Sequence, residues 1–187
     1  MTSSHTVADV SRPGDLVLAD TAAPDEVRLR LSPGGLAVIG DPAHGLLTGV
    51  VRFERLSTLS EEEETLDGVV DSAALVPGRL GLERAFRILL GHAGLRWLVT
   101  ETGAVLARER LVPASLERFA GSALDRSGLF GDPVAPASGL SYRCPAKPGE
   151  HVFAPAEIEA WTTDLKARCP VDGRLMTAFL PLSSDEE

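Results

Sequence analysis

Lysine is nearly missing from this 187-residue chain, where Lys147 and Lys166 are the only two among 18 basic residues and the rest are arginine. With the abundance of Ala and Gly, that bias points to a high-GC bacterial genome and carries no function. Aromatic residues are scarce as well, at 5%, which counts against a reader of nucleic acid that stacks bases on exposed rings. No apolar run approaches the ~20 residues needed to span a bilayer. The opening MTSSHTVADVSRPGD has neither a positively charged start nor an apolar stretch, so no secretory signal is expected. Two cysteines are too few for a disulfide scaffold, and in a reducing compartment they are more often free thiols or metal ligands. The expectation is a cytoplasmic protein that does not engage membranes.

Net positive charge is also absent. At −9 and a pI near 4.9 the chain lacks the basic surface that would release counterions from nucleic acid or meet anionic lipid. Residues 79–118 depart from this balance, with seven Arg against four Glu. Arg84, Arg87, Arg96, Arg108 and Arg110 could form a patch for an acidic partner or a nucleic-acid backbone; the plainer reading makes them solvated faces. Catalytic signatures are missing too. There is no Gly-x-Ser-x-Gly elbow, Walker loop, Gly-x-Gly-x-x-Gly or His-Glu-x-x-His.

What is present fits an α+β chain, 44% hydrophobic and long enough for one core with a small appended module. DLVLAD (15–20), EVRLRL (26–31), GLAVIG (35–40) and GLLTGVVRF (45–53) alternate with turn residues and predict an antiparallel sheet of three or four strands. Glu61–Glu64 repel one another and read as a solvated loop or helix start, with an acidic metal site as the alternative. Leu82, Ala85, Phe86, Leu89, Leu90 and Ala93 form one helical stripe, stopped at Gly94. Next, LRWLVTETGAVLARERL predicts a hairpin about Glu101-Thr102-Gly103. A second amphipathic helix is expected from Pro113 to about Gly128. Two helices would thus pack on the N-terminal sheet. The organisation expected is an α+β domain over 1–130, a Gly/Pro/Ser/Ala linker over 131–140, a small module over 141–180 and an acidic tail over 181–187.

In that small module both cysteines stand near a histidine and an aspartate, as Cys144-x6-His151-x17-Cys169-x2-Asp172. Pro follows each cysteine, and Gly149 and Gly173 lie beside the second members. Such turns can aim two side chains at one point, with Gly supplying the positive φ. Between them Pro155, Ile158, Trp161 and Leu165 predict a bracing helix.

The segment resembles the zinc-ribbon superfamily, whose pattern is a pair of Cys-Pro-x-Cys-Gly knuckles. Cys169-Pro170-Val171-Asp172-Gly173 matches a knuckle with Asp in place of the second cysteine; the first knuckle, from Cys144 to His151, is enlarged and ends in His. The resemblance implies Cys144, His151 and Cys169 as ligands, Asp172 as the fourth, and a structural Zn2+ worth on the order of 10 kcal/mol to a module too poor in apolar residues to order itself. A ribbon that keeps its turns without metal, or a disulfide, are the alternatives. An open fourth position with Glu150 as base would make the zinc catalytic, although the order of residues differs from the deaminase signature.

The function this implies is a non-catalytic adaptor, in which a zinc-stabilised C-terminal module meets a protein partner. The rivals are a zinc-dependent enzyme or small-ligand binder at Cys144, His151 and Cys169, and a regulator that contacts nucleic acid through 79–118. Nucleic acid is the less favoured partner, and nothing in the sequence sets the oligomeric state.

Overall fold

The computed structural model describes residues 5–60, 65–92, 94–112, 139–154 and 167–181. The chain opens with a single helical turn, α1 (Val7–Val10), and a short strand, β1 (Arg12–Pro13). It then builds a first sheet from β2 (Leu16–Leu18), β3 (Leu36–Asp41), β4 (Leu46–Arg52) and β5 (Val70–Asp71), in that spatial order.

Between β2 and β3 lies α2 (Pro24–Arg30), so EVRLRL is helical and not the strand its alternation predicts. The local chemistry explains the difference. Pro24 occupies the first helical turn, Asp25 and Glu26 sit at the positive end of the helix dipole, and Arg28 and Arg30 sit at the negative end. Val27 and Leu31, four residues apart, are buried, while Leu29 is 87% exposed. Because a helix intervenes, β2 pairs parallel to β3, whereas β3–β4 and β4–β5 are antiparallel. The sheet is thus mixed rather than the purely antiparallel one expected.

After α3 (Phe53–Leu56) the chain lays down β6 (Ala73–Val76), α4 (Leu82–Gly91), β7 (Trp97–Thr100), β8 (Ala104–Ala107) and α5 (Arg108–Leu111). Strands β9 (Ser141–Arg143), β10 (Val152–Phe153) and β11 (Thr177–Phe179) follow. Together with β1 these strands make a second sheet in the order β1-β8-β7-β6-β11-β9-β10. The predicted stripe is α4, with Ala85, Ile88 and Leu89 fully buried, and it packs on this larger sheet. The predicted hairpin is β7–β8, closed by Gly103 at φ 78°. Strands β6, β7 and β11 run parallel to one another.

The two sheets stack face to face. Leu36, Val38, Leu47 and Val50 of the first meet Ala73, Trp97, Val99 and Val105 of the second in one apolar cluster. Polar bonds cross the same boundary. The Leu47 N–H donates to Thr177 Oγ1 at 2.8 Å, and buried Asp71, which also accepts from Arg52 Nε within its own sheet, accepts from Trp97 Nε1 at 3.4 Å. Helices α2 and α3 lie near the outer face of the first sheet, and α1 and α4 near that of the second.

A zinc-ribbon-like module at the C-terminal end is not what forms. Strand β11 pairs parallel with β6 on one side and antiparallel with β9 on the other. Tyr142, Cys144, Ala167, Cys169, Met176 and Ala178 share a core with Ala74, Ile88 and Leu98. The expected helices over 113–128 and 155–165, Glu61–Glu64, residues 131–138 of the expected linker and the tail from 182 lie outside the described residues. Among the described residues no helix is long and apolar enough to cross a membrane.

Candidate functional site

Two places gather chemistry-bearing side chains. The first holds the four residues singled out by their spacing. Cys144 follows β9, and its N–H donates to the His151 carbonyl at 2.9 Å across an exposed turn. Cys169 opens a second turn, in which its N–H donates to the Arg174 carbonyl and the Gly173 N–H donates back to the Cys169 carbonyl, both at 2.8 Å. Gly173 has φ 72°, the left-handed conformation that favours glycine at the end of such a turn.

These two turns bring Cys144, His151, Cys169 and Asp172 together, with their side-chain donor atoms all within 4.8 Å of one another. The Cys144 thiol donates to Asp172 Oδ2 at 2.9 Å, and Cys169 Sγ lies 3.6 Å from His151 Nδ1. Burial pushes the Cys144 thiol up, and the Asp172 carboxylate beside it pushes in the same direction. The bonds from Cys144 and from the Arg174 N–H hold Asp172 below the usual carboxylate range. Glu150 stands apart and pairs with Lys147 at the surface.

The second place was not singled out by any motif. A cleft of about 740 Å3 opens at the carboxyl ends of the parallel strands. Leu75, Val76 and Pro77 at the end of β6, Phe179 at the end of β11, and Glu101 just beyond β7 line it, with Arg79 and Arg143. Carboxyl ends of parallel strands are where open α/β sheets leave a crevice, because neighbouring chain connections diverge there. Here β6 leads through α4 to β7 on one side, while β11 flanks it on the other.

Arg143 is the most constrained charge in the cleft. Its guanidinium carbon lies 4.2 Å from the centroid of the Phe179 ring, a cation–π stack. One terminal nitrogen approaches the Gly45 carbonyl at 3.5 Å, and Nε is buried with no partner among the described residues. Gly45, at φ 75°, leaves the space this side chain occupies, and a Cβ there would collide with the guanidinium. Glu101 is fixed by the Gly78 N–H, which donates to Oε2 at 2.8 Å. Sequence reasoning missed Arg143 and Phe179 because only the β9–β11 pairing makes them neighbours. The visible hint was Pro77-Gly78 directly after an apolar run.

Among the described arginines of 79–118, Arg79, Arg84 and Arg87 line one surface depression that does not include Arg96, Arg108 or Arg110. Arg87 pairs with Glu83 on α4, Arg96 stands 4.0 Å from Glu109, and Arg108 is buried in the core. His92, at the end of α4, has its pKa lowered by burial, against the rise a helix C-terminus alone would cause.

No family model and no curated protein matches the chain. Among solved structures, the CBS domain of a protein assigned as a transporter in Clostridium difficile 630 is similar at 14% identity, with a TM-score of 0.41, over 64% of this chain and 96% of that one. AcuB of Vibrio cholerae, assigned to acetoin utilization, is similar at 15% identity, with a TM-score of 0.37, over 68% of this chain and 98% of that one. Neither is a zinc ribbon by its description, and because β11 pairs with β6 and β9 in the larger sheet, the ribbon resemblance and the metal-binding character it lent the chain are corrected. The structural Zn2+ expected from that resemblance is withdrawn with it. Its physical premise was a module unable to order itself, and the segment is ordered by the core it shares with β6, β7 and α4.

Proposed function

We propose that the chain is a regulatory module that binds a small anionic ligand with a flat or apolar body in the cleft at the ends of β6, β7 and β11. The observation that carries this reading is Arg143, a guanidinium stacked on Phe179 at 4.2 Å with a buried, unpartnered Nε at the cleft wall. The stack on Phe179 holds the guanidinium in the cleft wall, where it offers an oriented charge-assisted donor to a ligand anion. Arg79 adds a second positive charge, and the Leu75, Val76 and Pro77 wall suits an apolar body. The adaptor reading needed a ribbon surface, which the described residues do not form. The nucleic-acid reading needed a continuous basic face, and buried Arg108 breaks it.

Isothermal titration of the full chain with inorganic phosphate, a nucleoside monophosphate and a dicarboxylate tests the proposal. Arg143→Ala is expected to weaken the tightest of these about tenfold or more, since a charge-assisted hydrogen bond contributes roughly 1.5–3 kcal/mol. Arg30→Ala, on the outer face of α2, leaves binding unchanged. Equal binding by Arg143→Ala and the parent chain, or no binding of all three, contradicts the reading.

A further inference from the structure

Outside the cleft, the chain's two cysteines present an arrangement that packing alone does not require. Their sulfurs come from turns far apart in sequence and lie within 4.8 Å of each other. A disulfide needs about 2 Å between sulfurs, so closure takes a side-chain rotation and a small approach of the two turns. That approach is open to them. Residues 146–150 and 170–174 are exposed, and each turn lies at the end of a short antiparallel pairing, β9–β10 in one case and the Arg168–Leu175 bridge in the other. Both cysteines are buried in the core shared with Ala74 and Leu98, while the turn residues that follow each of them are exposed.

The surroundings also differentiate the pair. Cys169 faces a base, His151 Nδ1, at 3.6 Å, while Cys144 donates to the Asp172 carboxylate at 2.9 Å. We propose that Cys144 and Cys169 form a reversible dithiol–disulfide couple oxidised by hydroperoxides, with Cys169 as the attacking sulfur and Cys144 as the resolving one. Cys169 passes its proton to His151 Nδ1, and the thiolate attacks the nearer peroxide oxygen. The O–O bond breaks, and the leaving alkoxide takes the proton from His151 and departs as an alcohol, or as water from hydrogen peroxide. Cys169 is then a sulfenic acid.

The Cys144 sulfur next attacks the Cys169 sulfur, so that an S–S bond forms and the S–O bond breaks. The Cys144 proton, held towards Asp172, leaves with the hydroxyl as water. Two thiols lose two electrons and the hydroperoxide gains two. The Cys144 thiol, 2.9 Å from Asp172 Oδ2, has an acceptor beside it for its proton as its sulfur attacks. The couple does not depend on the cleft binding any ligand.

The test is stepwise addition of hydrogen peroxide to the full reduced chain, followed by acid quench, unfolding, alkylation and intact mass measurement. The expected result is simultaneous loss of both alkylatable thiols in a monomer two hydrogens lighter, restored by dithiothreitol. With Cys144→Ser, a sulfenic acid on Cys169 becomes trappable by dimedone; with Cys169→Ser, Cys144 stays reduced. Should a serine variant fail to fold, the mass of the oxidised parent chain decides alone. Two thiols that remain alkylatable, disulfide-linked dimers, or an ion that must be stripped from both sulfurs before oxidation overturns the proposal.

Discussion

A chain shortened to end at Gly139 is expected to show no cooperative unfolding transition. The deletion removes β9, β10 and β11, and with them the strand that pairs parallel to β6. Leu140, Tyr142, Met176 and Leu180 are buried in the core beneath α4, at 0%, 4%, 3% and 6% exposure. Each such side chain contributes about 1.5–3 kcal/mol through removal of apolar surface from water. The four together approach the ~5–15 kcal/mol by which a whole domain is stable. Ala74, fully buried, would lose its partner Ala178 across the sheet as well. Circular dichroism through a urea titration measures this. A sharp transition within about 1 kcal/mol of the full chain would mean that the C-terminal strands are a separate module.

Arg108→Met is expected to cost about 2–5 kcal/mol, because it leaves buried carbonyls without a donor at roughly 1–3 kcal/mol for each. Arg108 is 2% exposed, and its guanidinium donates to the Leu89 carbonyl, to the His92 carbonyl at 3.0 Å and to the Leu95 carbonyl at 3.4 Å. These carbonyls belong to the last turn of α4 and the segment that carries the chain into β7. Helix ends leave carbonyls without intrahelical partners, and a buried end must find donors elsewhere. A methionine fills similar volume and supplies none. Arg108→Lys is expected to recover only part of the loss, because the shorter side chain holds its ammonium short of the place where Nη1 meets the Leu89, His92 and Leu95 carbonyls. Urea midpoints with unchanged slope read both effects. A loss below about 1 kcal/mol for Arg108→Met would contradict the capping role.

The strands with turn residues on both sides were legible in the sequence, as were α4 from its stripe and the β7–β8 hairpin from Glu101-Thr102-Gly103. EVRLRL was not, because period two over five residues also fits a short helix with Val27 and Leu31 inward. There the Pro24 start and the charge order of the helix decided. Strands β5 and β6 were passed over for lack of polar alternation, since a strand buried on both faces carries none; Asp71, Ser72, Ala73 and Ala74 are all buried.

The gathering of Cys144, His151, Cys169 and Asp172 could be inferred from spacing, because local turns bring them together. What spacing could not give was the parallel pairing of Ala178 with Ala74, which is non-local. That pairing turns an apparent module into part of the main core, and the β9–β11 pairing brings Phe179 beside Arg143 in the cleft wall. Arg108 was misjudged for a related reason. A charged residue in an Arg-rich block reads as surface, and only the fold aims it at the end of α4.

The cleft is the central claim, and backbone amide NMR of the labelled full chain during titration with a nucleoside monophosphate and, separately, inorganic phosphate tests it most directly. The account predicts saturable shifts concentrated at Gly45, Val76, Glu101, Arg143 and Phe179, with the exposed face of α2 unmoved. Shifts centred elsewhere, or none at millimolar ligand, would contradict it.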